Sequence, residues 1–133
     1  MKRKMIVFSS ALLIMLLVGV SVTFATTYTS SVSVSTNSSL EGATRSYDAG
    51  THNISMDVYD YDFGDSTNVD ISVRSGGFWT GHDVHAETNA NLSGYGVSEH
   101  VLGYVPQGDY FYFFSTSQSR GGFSADPVIM SSN

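Results

Sequence analysis

The chain of 133 residues contains no cysteine, and it contains no lysine after Lys4. Without cysteine the protein forms no disulfide, although small exported domains often use disulfides to compensate for a thin core. Removal of the basic start Lys2-Arg3-Lys4 leaves three arginines against twelve carboxylates, a net charge of −9 (3 − 12). Because a chain this acidic repels nucleic acid phosphates and anionic membrane surfaces, we expect neither as a partner.

The first 25 residues have the pattern of a secretory signal peptide. The basic start precedes an apolar run over residues 5–20, and the small residue Ala25 marks a cleavage position. Cleavage there leaves 108 residues (133 − 25), which is one domain. We therefore predict a secreted, extracellular protein, typical of bacteria, with no stable membrane span after cleavage. The alternative is an uncleaved anchor, because residues 5–24 approach the roughly 20 residues that span a bilayer.

Residues that favour helices, such as leucine, glutamate and glutamine, are scarce after Ala25, whereas serine, threonine, valine, aromatic residues and glycine dominate. Apolar and polar residues alternate over residues 31–35, 54–59 and 69–74, which is the period of a half-buried strand. Turn-forming residues separate these runs. We predict about eight strands, near residues 28–36, 43–48, 51–60, 68–74, 83–90, 95–104, 109–116 and 122–130.

Short strands of this kind predict an all-β fold, a single antiparallel β-sandwich with a jelly-roll-like arrangement. The sandwich is predicted over residues 41–133, and the segment 26–40, rich in serine and threonine, is either a mobile lead-in or an edge strand. The stretch Val105-Pro106-Gln107-Gly108-Asp109-Tyr110 resembles the strand entry common in bacterial pre-peptidase C-terminal domains and jelly-roll carbohydrate-binding modules. The resemblance implies the fold rather than a function, because proline and glycine before an aromatic strand are general turn chemistry.

Acidic side chains concentrate over residues 57–70, around a predicted hairpin turn at residues 63–66. Oxygen ligands on a tight loop suit Ca²⁺, so this hairpin is a candidate calcium site and calcium is the one candidate cofactor. The spacing is not that of an EF-hand loop. The alternative is a charged edge that prevents aggregation between strands. The candidate ligands are Asp57, Asp60, Asp62 and Asp65.

Two histidines, His82 and His85, lie three positions apart, with His52 and His100 elsewhere in the chain. On a regular strand, positions three apart point to opposite faces. His82 and His85 would therefore converge on Zn²⁺ or Cu²⁺ only if the segment turned at Gly81. The alternative is that each histidine is exposed or makes one hydrogen bond of its own.

Aromatic residues form the third candidate set. Alternation over residues 110–114 places the two tyrosines and Phe114 on one face of a strand, with Phe111 and Phe113 on the other, as in a central strand. These tyrosines are then either core residues or a flat platform for sugars. The only tryptophan lies among glycines in a predicted exposed loop, where an aromatic ring is typical of a contact site. The candidate ligand-binding residues are Phe78, Trp79, Tyr95, Tyr104, Tyr110 and Tyr112.

The sequence contains no motif that marks a catalytic nucleophile: it has no G-x-S-x-G elbow and no cysteine. We therefore expect a protein that is not an enzyme. The leading hypothesis is a secreted binding module that acts by surface contact on a glycan, a cell-envelope polymer or a protein. One alternative is a secreted antagonist, toxin-like in its action on other cells. The other is a self-assembling extracellular matrix or surface protein that pairs its strand edges.

Overall fold

The computed structural model describes residues 26–35, 38–64, 66–77, 79–116 and 121–133, and the predicted signal peptide lies outside them. The described residues form nine strands and no helix. The strands are β1 (Thr26–Ser35), β2 (Ser39–Glu41), β3 (Arg45–Tyr47), β4 (Gly50–Tyr61), β5 (Thr67–Gly77), β6 (Gly81–Leu92), β7 (Gly96–Val105), β8 (Gly108–Ser115) and β9 (Gly122–Ser132). This part of the chain has no helix that could cross a lipid bilayer.

The strands form two antiparallel sheets that pack face to face, which confirms the prediction of an all-β sandwich. The first sheet has the order β1-β9-β4-β7, and the second has the order β2-β8-β5-β6, with β3 also paired to β8. The pairing is nested along the chain: β1 pairs with β9, β2 and β3 with β8, β4 with β7, and β5 with β6. The chain is therefore one long hairpin, folded at the β5–β6 turn and wrapped into two sheets.

The core lies between the sheets and follows directly from the alternation in the sequence. In β4 the side chains of Ile54, Met56 and Val58 are buried, and in β5 so are those at positions 69, 71 and 73. Successive strand residues point to opposite faces, so one apolar set on each strand is enough to line the interior. Burial of these β-branched and aromatic side chains is the main favourable contribution to the folding free energy.

The structure corrects one prediction, the acidic hairpin over residues 57–70. β4 and β5 do not pair; they belong to different sheets, so the chain crosses from one sheet to the other between them. The physical reason is that each strand has one fully buried apolar face. Two such faces are buried best against each other across the sandwich, rather than side by side in one sheet.

β1 is an edge strand of the first sheet, paired on one side with β9. Its inward residues Val32 and Val34 are buried in the core, while its outward residues are serine and threonine. A bulge between Ser30 and Val32 interrupts the pairing register. A bulge of this kind bends an edge strand and makes it a poorer template for unwanted pairing.

Candidate contact surfaces

Three of the predicted contact aromatics lie on the surface. The exposed fractions are 92% for Trp79, 73% for Tyr95 and 67% for Tyr104. Trp79 belongs to the β5–β6 turn and Tyr95 to the β6–β7 turn, whereas Tyr104 lies on β7. Because these two turns join opposite ends of β6, Trp79 and Tyr95 lie at opposite ends of the sandwich. Phe78 lies outside the described residues.

The β5–β6 turn that carries Trp79 is held in shape by its glycines. Gly76 and Gly81 adopt φ angles of 108° and 75°, a region that residues with side chains rarely adopt. A Cβ atom at Gly76 would lie 2.1 Å from the carbonyl oxygen of Gly81. The backbone N–H of Gly77 also donates a hydrogen bond of 2.9 Å to Thr80 Oγ1. The tryptophan is therefore presented on a tight, defined turn.

Tyr110 and Tyr112 are core residues, so the prediction that they form a binding platform is wrong. Their exposed fractions are 6% and 1%. Both lie at even positions of β8, which face the opposite sheet, as the alternation over residues 110–114 predicts. The Tyr110 hydroxyl donates to the carbonyl of Pro106 at 2.8 Å, and the Tyr112 hydroxyl is hydrogen-bonded to His52 Nδ1 at 3.0 Å.

A histidine, His52, is enclosed among tyrosines in the core. It is fully buried, and its ring lies 4.9 Å from the Tyr47 ring and 5.9 Å from the Tyr112 ring. Burial lowers the pKa of His52 and raises the pKa of Tyr47 to about 12, because desolvation disfavours the charged form of each group. Burial also raises the pKa of Tyr112. These groups have no access to a substrate, so their shifted pKa values reflect packing.

The predicted calcium site is not formed by the aspartates that the structure describes. Asp57 and Asp60 lie on β4, and Asp62 lies in the segment that leaves it. Asp65 lies outside the described residues. Within the described part of the chain, no three acidic, histidine or cysteine side chains come together in a group that could hold a metal ion. The correction follows from the crossing of the chain between sheets, which replaces the expected hairpin.

His82 and His85 do not converge. His82 lies on the outer face of the second sheet, with Nε2 3.6 Å from a Glu41 carboxylate oxygen. His85 lies at a bulge of β6, where its Nε2 is 2.6 Å from the hydroxyl oxygen of Ser75. Its ring is 5.0 Å from the buried Tyr110 ring, on the opposite side of the sheet from His82. Each imidazole therefore has its own partner, and the pair forms no metal site.

The outer face of the second sheet is covered by its own side chains. The His82 ring lies 4.8 Å from the ring of Phe111, which is buried even though it points away from the core. The guanidinium carbon of Arg74 lies 3.9 Å from the centre of the Phe113 ring. These cation–π and edge-to-face contacts use the aromatic surface of β8.

The outer face of the first sheet carries a groove that the sequence did not predict. Its volume is about 490 Å³, within the roughly 300–1,000 Å³ typical of small-molecule sites. Side chains of the central strand β4 and of its two neighbours form its floor. The lining residues are Asn53, Ile54, Ser55, Glu99, His100, Val101, Ile129, Ser131 and Asn133.

Two side-chain amides at one end of the groove are fixed by their own hydrogen bonds. Asn53 Nδ2 donates to the Thr51 carbonyl at 3.0 Å and to Asn133 Oδ1 at 2.9 Å. Backbone hydrogen bonds in both directions, of 2.9 and 3.1 Å, join Thr51 and Asn133. Within the described residues, Asn53 Oδ1 and Asn133 Nδ2 make no further hydrogen bond. One acceptor and one donor therefore remain on two residues that line the groove.

Exposed apolar side chains also concentrate on this face. Five of the eight large ones exposed in the described residues lie here: Tyr59, Val97, Val101, Tyr104 and Ile129. Val97 pairs with Asp57, Val101 with Asn53, and Tyr104 with Thr51. Outward alternation on β4 and β9 could have pointed to Asn53, Ser55 and Ile129. The sequence did not reveal which strands lie side by side, and that register creates the groove.

No protein-family model matches the chain, and no curated protein matches it.

Proposed function

We propose that the protein is a secreted, non-enzymatic β-sandwich that acts by surface contact, binding a glycan, a cell-envelope polymer or a protein outside the cell. The observation that carries the proposal is the exposure of Trp79, 92% of whose surface faces solvent on a tight turn. Exposing a ring of this size costs solvation free energy that burial would recover. An indole held outward on a rigid scaffold is well suited to a contact, because its apolar ring and polar N–H serve one ligand together.

The architecture that presents this residue is, in our proposal, a jelly roll. The nested strand pairing supports this architecture, because rolling one long hairpin into two sheets produces that order. In it β1 pairs with β9, β2 and β3 pair with β8, and β4 pairs with β7. Residues 1–25 act as the signal peptide in this proposal, with cleavage after Ala25. The exported domain then begins at β1.

Contact rather than catalysis is supported by where most of the groups with a shifted pKa lie; the exception is His100, whose pKa burial also lowers and which lines the groove on the first sheet. The pKa of His52 is lowered and that of Tyr112 is raised by burial, and both side chains lie inside the core. A general acid or base must come within hydrogen-bond reach of its substrate. Neither group can do so in this fold without opening the sandwich.

Replacement of Trp79 by alanine tests the proposal directly. Retention of the mature chain on isolated cell walls and on insoluble polysaccharides should fall about two- to tenfold, the range expected for loss of a stacked aromatic ring. The melting temperature should stay unchanged, because the side chain is exposed. Retention equal to that of the wild type would contradict a contact role for Trp79.

Val84→Ala provides the matched control. Val84 is also an exposed apolar residue of the β5–β6 hairpin, but it lies on the strand β6 rather than at the turn. Its replacement should leave both retention and melting temperature unchanged. An equal loss in both variants would indicate a general effect on the hairpin instead of a role for the indole.

A further inference from the structure

Most of the exposed aromatic and aliphatic side chains of the first sheet lie on the edge strand β7 or next to it, and Ile129 on β9 is the exception. Val58 pairs with Gly96, so Tyr59 and Tyr95 each lie one residue beyond this pair, at the end of the sheet where β7 begins. Tyr104 lies near the other end of the same strand, opposite Thr51. We call this set the β7 track, which consists of Tyr59, Tyr95, Val97, Val101 and Tyr104. Eight residue steps separate Gly96 from Tyr104, a length of about 25 Å.

The polar groove lies between the two aromatic ends of the track. Val101 is part of both the groove and the β7 track. It pairs with Asn53, whose side-chain amide is oriented by hydrogen bonds to Thr51 and Asn133. Asn53 Oδ1 and Asn133 Nδ2 thus provide an acceptor and a donor next to an aliphatic surface. Neighbouring hydroxyls of a sugar ring each donate and accept, and can pair with both groups at once.

The charges on this face restrict the class of ligand. The four strands of the first sheet contain no lysine and no arginine. The carboxylate of Glu99 lines the groove, and Asp57 lies next to Val97 in the register. Sulfated, phosphorylated or uronic acid polymers would therefore meet repulsion without a compensating cation. A ligand without negative charge is favoured.

We propose that the β7 track and its groove bind a neutral, linear polysaccharide, with the glycan chain lying along β7. Tyr104 at one end, and Tyr59 with Tyr95 at the other, stack on the C–H faces of sugar rings. The two asparagines bind hydroxyls between these ends. This assignment rests on the proposed contact function and adds to it the substrate class and the surface.

A glycan fits this surface better than a second copy of the chain does. A protein interface keeps charged groups out of its buried centre, whereas here Glu99 lies in the middle of the surface, between Val97 and Val101 on β7. Two copies packed through this face would also bring carboxylates together, since the strands of the sheet contain no lysine and no arginine. A neutral glycan instead offers hydroxyl donors to the same carboxylate.

Affinity electrophoresis of the mature chain tests the inference. The gels contain either a neutral linear polysaccharide (β-glucan, xylan or glucomannan) or an anionic one (alginate or polygalacturonate). We expect retardation by at least one neutral polymer and none by the anionic ones. Tyr104→Ala should weaken that binding about two- to tenfold, the range measured for an aromatic stacking contact. Tyr104→Phe, which keeps the ring, should retain the binding.

Thr29→Ala is the control on the same face, because Thr29 is exposed on β1 and does not line the groove. Its affinity should equal that of the wild type, and all variants should keep the wild-type melting temperature. Retardation by the anionic polymers alone would overturn the inference. So would binding of a neutral polymer that Trp79→Ala abolishes and Tyr104→Ala leaves unchanged, although that result would support the contact function.

Two further results would also decide against the inference. Binding to no polysaccharide, together with capture of a protein that Trp79→Ala abolishes, would leave the contact function standing with a different ligand. A dimer in size-exclusion chromatography that Tyr104→Ala dissociates would assign the β7 track to a second copy of the chain. Loss of every contact, to cell walls, polysaccharides and proteins alike, would overturn the contact function itself.

Discussion

At the scale of single residues, the buried His52 links folding to pH. Its ring packs against the rings of Tyr47 and Tyr112, whose pKa values burial raises, so neither carries a negative charge that could neutralise an imidazolium. Burial lowers the His52 pKa below its ordinary value of 6.5. The unfolded chain therefore binds more protons than the folded chain just below pH 6.5. Stability consequently rises with pH through this range.

We therefore expect the melting temperature to be constant above about pH 7 and to fall as the pH decreases from 6.5 towards 5. Burial also lowers the pKa of His100, so the variant His52→Gln, which cannot be protonated, should reduce this dependence and leave the part that His100 contributes. His85→Gln should keep the wild-type slope, because His85 is exposed on β6. Thermal unfolding followed by circular dichroism at several pH values measures all three. Equal slopes in the wild type and His52→Gln would contradict the assignment to His52.

At the scale of elements, the β5–β6 hairpin depends on a glycine that tolerates no side chain. Gly76 has a φ of 108°, and a Cβ there would lie 2.1 Å from the Gly81 carbonyl oxygen. Gly76→Ala should destabilise the fold by about 1–3 kcal/mol from backbone strain, with the steric clash adding to this. Gly64→Ala is the matched control, because Gly64 has a φ of 85° but open space around it.

Urea denaturation compares the two alanine variants. Gly76→Ala should lower the free energy of unfolding more than Gly64→Ala, since only the first adds a clash with backbone to an unfavourable φ. Gly76→Ala should also weaken retention on isolated cell walls and insoluble polysaccharides, because the turn that carries the Trp79 indole must shift. Equal free energies of unfolding in the two variants would show that the turn relaxes without cost.

The elements also show how far the sequence could be interpreted. Alternation at residues 54–58 and 69–73 predicted two strands and their buried faces, because burial of alternate residues depends only on local spacing. The same local spacing says nothing about which strands become neighbours. The acidic segment after β4 therefore looked like a hairpin, although the chain crosses there to the second sheet. The calcium site predicted on that hairpin depended on the same wrong assumption.

The same difference between local spacing and strand neighbours decided which site residues the sequence could predict. Glycines around Trp79 predicted an exposed turn, and the structure places the indole in solvent. Tyr110 and Tyr112 were ambiguous in sequence, because a tyrosine suits a core rim and a sugar platform equally well. The face of β8 that they share with Phe114 decided the outcome in favour of the core. The groove around Asn53 required the register of β4 with β7 and β9, which no single strand encodes.

At the scale of the whole molecule, the two outer faces differ in chemistry. The outer face of the second sheet is occupied by Arg74 over Phe113 and by His82 against Phe111. The strands of the first sheet contain no lysine and no arginine, and its outer face carries most of the exposed apolar side chains outside the turns. The acidic composition that argues against a nucleic acid partner also argues against an anionic glycan on this face.

Nuclear magnetic resonance provides the most direct measurement of the central claim, that this protein binds a neutral glycan on the outer face of its first sheet. The mature chain, labelled with ¹⁵N, is titrated with neutral β-gluco-, xylo- and manno-oligosaccharides. Binding should shift the amide signals of β7 and of residues around Asn53 on β4, with little change on β2, β5 and β8. Shifts confined to the second sheet, or no shifts with any of these oligosaccharides, would contradict the claim.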